Sequence, residues 1–127
     1  MCLELIYCKD NLLWEVDFMI KVKEIMDMAF SYEDGMKLRQ AIQEELKTNN
    51  TVTVDFTDIY VFTTMFFNAC SGHFVFVNSI DWYNDKIKMI NLSTIGVETH
   101  KHSVENAQRQ RTEKSGKITE QTLSDNT

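Results

Sequence analysis

The sequence predicts a single α/β domain, with a mixed sheet, three helices and an extra N-terminal β-hairpin. Three observations lead to that class. Apolar and polar residues alternate with a period of two near the N-terminus and again over residues 51–56. Between and after those stretches, apolar residues recur three and four apart, the spacing of a helix face. From residue 19 onward the two patterns take turns, and such alternation calls for parallel pairing through crossover helices. The chain has 127 residues, 43% of them hydrophobic, which suits one buried core and leaves no room for a second domain. The domain is expected over residues 1–110, with 1–18 as the hairpin and 19–110 as the core. Residues 111–127 read as a flexible, solvated tail, since Ile118 and Leu123 are their only large apolar residues.

Taken in order, Leu3, Leu5 and Tyr7 form one arm of the hairpin and Leu12, Trp14, Val16 and Phe18 the other. Asp10-Asn11 suits the turn between them. Ile20 and Val22 alternate with Lys21 and Lys23 over 20–24 as a further short strand or a continuation of the one before it. Ser31-Tyr32-Glu33-Asp34 is a helix start signal, a hydroxyl cap with an acid three residues on. Leu38, Ala41, Ile42 and Leu46 make the stripe of the helix that follows, and Asn49-Asn50 ends it. Thr51 to Phe56 is rich in β-branched residues and predicts a strand. Thr64 to Val77 is too long and too apolar for a strand and predicts a buried helix, with Ser71-Gly72 as a weak point inside it. Ser79 to Asp85 predicts a loop carrying Trp82 and Tyr83, and Lys86 to Asn91 a strand. Ser93 caps a last helix, Thr94 to about Gln110, with Val97, Lys101, Val104 and Gln108 on its stripe.

Charge and cysteine content exclude several functions. Lysine plus arginine number 13 against 19 acids, a net charge of -6. Such a balance argues against nucleic acid as the main partner, because phosphate binding needs a basic face. No apolar run approaches the roughly 20 residues of a membrane span. The start, Met1-Cys2-Leu3-Glu4, lacks a basic segment followed by a long apolar one, so the expected address is the cytoplasm. Cys2, Cys8 and Cys70 are odd in number and share no C-x-x-C spacing, which reads as reduced thiols.

Few residues carry a pattern with chemistry in it. Asp55 stands at a strand end, where α/β sheets place catalytic acids. The simpler reading is a turn cap bonding nearby N–H groups. Cys70 lies among Phe66, Phe67 and Phe74, surroundings that raise a thiol pKa and suit a core residue better than a nucleophile. His100 and His102 lie two apart on a predicted helix and point about 200° from each other, so they cannot chelate one metal. No metal or cofactor is expected. Thr63 and Thr64 open a helix and suit caps. Trp82 and Tyr83 fit either an exposed anchor for a partner or a flap folded over the sheet edge.

Several of these pieces also recur in a set order. Asp34-Gly35 with Leu38-Arg39, then Val52-Thr53-Val54-Asp55-Phe56-Thr57-Asp58-Ile59, then Thr63-Thr64-Met65-Phe66, then Lys86-Ile87-Lys88-Met89-Ile90-Asn91-Leu92-Ser93 follow one another along the chain. The segment from Met19 to about Gln110 thereby resembles the STAS-like family, whose fold is shared by sulphate transporter tails and anti-sigma-factor antagonists. The resemblance implies a STAS-like sheet and a non-enzymatic role in binding a protein partner. In the antagonists a serine at the start of the second helix is phosphorylated, and the new charge meets a helix N-terminus. The matching stretch is Thr63 to Phe66, which makes Thr64 the implied phosphorylation position.

The expected function is thus a regulatory or interaction module, its partner surface formed by Asp58, Thr63, Thr64, Trp82 and Tyr83. A second function class is a small acidic inhibitor of phage type, acting on a host defence nuclease by charge mimicry. A third is a small enzyme using Asp55 or Cys70. The apolar face of the hairpin, Leu12, Trp14, Val16 and Phe18, has to be covered by the rest of the sheet or by a second copy in a homodimer. Deleting residues 1–18 should therefore cause aggregation or a change of oligomeric state, read by size-exclusion chromatography with light scattering. A truncated chain of equal size and stability would remove the hairpin from the fold.

Overall fold

The structure, a computed structural model, describes the backbone of residues 18–125 and the side chains of residues 19–114. The predicted hairpin, including Cys2 and Cys8 and the dimer contact assigned to it, lies outside the described residues.

Three strands form the sheet: β1 (Phe18–Lys21), β2 (Val52–Asp55) and β3 (Ile87–Ile90). They lie in the order β1-β2-β3 and both pairings are parallel. Phe18 stands beside Val52, and Val52 beside Ile87. Among the described residues the sheet is thus wholly parallel, where the sequence predicted a mixed one. The antiparallel part of that expectation came from the hairpin. Alternation fixes the faces. Ile20, Val52, Val54 and Ile87 point inward and are buried, while Met19, Lys21 and Lys88 lie exposed on the other face. The β1 strand is shorter than its pattern, because the chain turns at Val22–Glu24 into one 3-10 turn.

The first crossover carries α1 (Tyr32–Leu46). Ser31 caps it by accepting from the Asp34 N–H at 3.0 Å, and Glu33 and Asp34 complement the dipole in its first turn. Its inward stripe is Gly35, Leu38 and Ile42. The second crossover opens with α2 (Thr64–Phe67), passes through a π-helical segment (Asn68–Gly72) and continues as α3 (His73–Val77). Backbone angles stay right-handed helical across both junctions, so the predicted helix from Thr64 to Val77 is one continuous body. Its weak point widens into the π turn instead of breaking.

A fourth helical body, α4 (Ile80–Lys86), occupies the stretch expected to be a loop. Asn78, Ser79, Asp81, Asn84 and Asp85 read as turn formers, but Ser79 acts as a cap and accepts from the Trp82 N–H at 3.0 Å. The helix draws Tyr83 into the core, with 1% of its surface exposed. Finally α5 (Thr94–Asp125) continues past Gln110 as helix, where the sequence predicted a loose tail. Its inward side also differs from the expected stripe. Val97 and Lys101 face solvent, and the buried positions are Gly96, Ser103, Val104 and Ala107. The described side chains of α5 pack against α2, the π segment and α3.

The backbones of α1 and α2 approach closely at Gly35. A Cβ at Gly35 would fall 2.2 Å from the Phe66 carbonyl oxygen and 2.7 Å from the Ala69 Cβ. Gly35→Ala should therefore force the two helices apart. Overpacking of this kind costs up to about 3 kcal/mol, and alanine's better helix propensity returns only about 1 kcal/mol of it. A net loss of up to roughly 2 kcal/mol is expected, read as a lower denaturant midpoint. An unchanged midpoint would place the α1–α2 crossing elsewhere.

Candidate functional site

The turn that opens α2 is held by the segment before α1. Ala29 and Phe62 form a parallel bridge, in which the Ala29 N–H donates to the Val61 carbonyl at 2.9 Å and the Thr63 N–H to the Ala29 carbonyl at 3.1 Å. The Thr63 hydroxyl then caps the helix by accepting from the Phe66 N–H at 3.2 Å, and it donates to the Phe30 carbonyl. One side chain thus joins two segments 33 residues apart in sequence. Thr64, at the first helical position, is exposed, and its hydroxyl makes no hydrogen bond among the described residues.

Around this turn the surface is apolar. Ala29 and Phe62 point into the core, so their neighbours on the bridged segments point out. Met28 is 47% exposed, Phe30 48%, Val61 41% and Met65 50%. Four large apolar side chains thus lie exposed around the turn.

Asp58 belongs to a different neighbourhood. It sits in the loop after β2 with φ of 67°, and Asn91, at the end of β3, has φ of 61°. Both are residue types that tolerate the left-handed region. A cleft of about 330 Å³ lies between the two loops, lined by Asp58, Tyr60, Asn91 and Ser93 among others. The Tyr60 hydroxyl donates to Asp58 at 3.2 Å. Asp55 lies beside them, and one carboxylate oxygen takes three bonds: from the Thr57 N–H at 3.0 Å, the Thr57 hydroxyl at 2.6 Å and the Asn91 amide at 2.9 Å. The Thr57 and Asn91 bonds hold its carboxyl below the usual carboxylate range. Asp55 therefore ties the ends of β2 and β3 together as an ionised cap.

Of the aromatic pair expected at the surface, neither stands free. Trp82 is half-buried and lies on Phe74, with ring centroids 5.9 Å apart. Tyr83 is a core residue, not an exposed anchor. Its hydroxyl lies 2.7 Å from the Ser71 Oγ and 2.7 Å from His100 Nε2, and only the core supplies those partners. Cys70 is fully buried beside the same segment, and burial pushes its thiol pKa far up. The Ser71–Tyr83–His100 chain could not be seen in the sequence, because it joins the π segment, α4 and α5 at separations of 12 and 17 residues.

A sheet of parallel strands, a second helix opened by a threonine turn and a long terminal helix make up an α/β domain. Residues 34–96 match the family model described as STAS-like domain of unknown function (DUF4325). Residues 34–96 thus carry a STAS-like domain, and the match spans all four ordered motifs. No curated protein and no solved structure matches the chain. Among the described residues no helix is long and apolar enough to cross a membrane.

Burial lowers the His100 pKa from 6.5 to about 4. Its neutral form is the one the fold stabilises, so this stabilisation is full above about pH 6.5 and is lost as pH falls through about 4. The thermal midpoint should fall across that window. His100→Gln, which keeps a hydrogen-bonding group for Tyr83 but cannot titrate, should flatten the slope, as scanning calorimetry at stepped pH would read. An equal slope in both proteins would assign the loss to other groups.

Proposed function

We infer that this chain is a non-catalytic regulatory or interaction module that binds a protein partner in the cytoplasm through the face around the Thr63–Thr64 turn. The observation that carries the reading is the apolar rim of Met28, Phe30, Val61 and Met65 around an exposed Thr64 hydroxyl. Apolar side chains supply the desolvated centre of an interface, and the turn supplies a polar point at which it can be regulated. Phosphate on Thr64 would place negative charge over the first turn of a helix, which the backbone N–H groups there accept. The same charge would lie against the apolar rim and oppose a partner docked on it. Asp58 stands apart from this face, at the cleft between the loops after β2 and β3. Asp55 and Cys70 enter as structural groups, the one as a cap and the other as a core residue.

The test is capture of partners from the native host with purified full-length variants. Phe30→Ala and Thr64→Glu should both stay folded, and each should weaken capture about tenfold or more, the loss a partly buried apolar contact carries. Met36→Ala, on an exposed part of α1, should capture as well as the natural sequence. Capture unaffected by both Phe30→Ala and Thr64→Glu would move the interface off this face.

A further inference from the structure

A cleft of about 260 Å³ opens where the start of α1, the π segment and the middle of α5 meet. Its polar side chains arrive from three directions. Tyr32 comes from α1, Asn68 and His73 from the π segment and the start of α3, and Asn106 and Gln110 from α5. The i→i+5 bonding of the π segment is what turns Asn68 and His73, five residues apart, toward one cleft.

Donors predominate among these groups. The Asn68 Oδ1 accepts from the Ser103 hydroxyl, and the Asn106 Oδ1 from the Arg109 guanidinium. Each asparagine is left with its NH2 group alone, and no described residue takes either one. The Gln110 amide, the Tyr32 hydroxyl and the His73 ring make no hydrogen bond among the described residues. Burial and the Arg39 charge hold the His73 pKa below its ordinary value, so at pH 7 the ring is neutral and has one N–H to give. The acceptors still open are the Gln110 and Tyr32 oxygens and the second His73 nitrogen.

The charge around the cleft is positive. No carboxylate lines it. Besides Arg109 at Asn106, the Arg111 guanidinium donates to the Phe76 carbonyl at 2.7 Å, and the Lys114 Nζ lies 5.2 Å from the centre of the Phe76 ring. Arg39 donates to the Ala69 carbonyl at 3.2 Å, close enough for its charge to act on His73. None of these four cations forms an ion pair with a described residue. In a chain of net charge -6 this concentration runs against the composition.

We propose that this cleft binds a phosphoryl group, free or as a small organic monoester. Uncompensated positive charge around a concave wall raises the local concentration of anions. Guanidinium forks and amide N–H groups match phosphate oxygens in number and direction. The oxygens of a phosphate spread tetrahedrally and meet donors from α1, the π segment and α5 together, whereas the two oxygens of a carboxylate lie in one plane. The rings of Tyr32 and Phe76 offer an apolar surface to the organic part of an ester. The proposal is independent of the protein-partner reading, which concerns another set of residues.

Isothermal titration of the full chain with sodium phosphate, phenyl phosphate and sodium acetate at fixed ionic strength tests it. Both phosphates should bind saturably, and more weakly as sodium chloride is raised. Acetate should bind about tenfold more weakly or worse. Arg109→Gln, at an exposed position, should weaken phosphate about tenfold, the loss of one charge-assisted contact. Asn106→Asp, equal in size, keeps an acceptor for Arg109 and should abolish binding by setting a carboxylate in the cleft. Lys88→Gln, which removes an exposed cation on the other face of the sheet, should leave the affinity unchanged. Tighter binding of phenyl phosphate would mark an ester as the source of the group, and tighter binding of inorganic phosphate the free ion. The proposal is overturned by no saturable binding of either phosphate, by acetate binding as tightly, or by unchanged affinity in Arg109→Gln and Asn106→Asp. Equal weakening by Lys88→Gln would also overturn it, since binding would then follow net charge and not the cleft.

Discussion

The contact between Gly35 and the Phe66 carbonyl sets how closely α1 can lie on α2, and the rest of the core is arranged around that distance. With no Cβ between them the two backbones touch. Leu38 and Ile42, further along the same stripe, then reach the cluster of Phe66, Phe67 and Cys70. One turn after Gly35, Arg39 lies near enough for its guanidinium to donate to the Ala69 carbonyl at 3.2 Å. That carbonyl lies in the π segment, where the regular i→i+4 ladder is lost. Arg111 does the same for the Phe76 carbonyl near the end of α3, at 2.7 Å. Two carbonyls of the central helix are therefore bonded by arginines from α1 and α5.

Polar groups inside the core follow a similar logic. Ser71 and Ser103 are buried, and each is bonded: Ser71 to Tyr83, Ser103 to Asn68. Buried hydroxyls are expensive when unpaired and orient their surroundings when paired. Through Ser103, bonded to Asn68, and His100, bonded to Tyr83, α5 is docked on the π segment and on α4 by hydrogen bonds that accept only one rotation of the helix. An apolar stripe alone would have allowed sliding.

Much of this was legible in the residues, and the exceptions have physical causes. β2, α1 and the helix from Thr64 to Val77 carry strong periodicity and standard caps, and they appear where the pattern puts them. α4 was hidden because five short polar residues in and before it favour turns in isolation, and its stability comes from burying Tyr83, a tertiary effect. The inward side of α5 was misread for a related reason. Gly96, His100, Ser103 and Ala107 are small or polar and carry little hydrophobic signal, yet small residues are what close packing on the π segment requires. At the candidate site, the Thr63 cap and the exposed Thr64 follow from local sequence. The apolar rim does not, because Phe30 and Val61 become neighbours only through the Ala29–Phe62 bridge.

The parallel register has a consequence for how the chain reaches this state. Phe18 pairs with Val52 and Val52 with Ile87, separations of 52 − 18 = 34 and 87 − 52 = 35 residues. No two described strands are joined by a hairpin, so no sheet hydrogen bond among them can form before a long loop has closed. Closing a loop of that length carries an entropy penalty of roughly 3 kcal/mol or more before any pairing compensates it. Helices α1 and α2 are the elements able to shorten the search, since each forms locally and their glycine contact brings the two crossovers together. Folding of this domain should be limited by the docking of those helices, with the sheet zipping afterwards, and should be slower than that of a helical bundle of equal size.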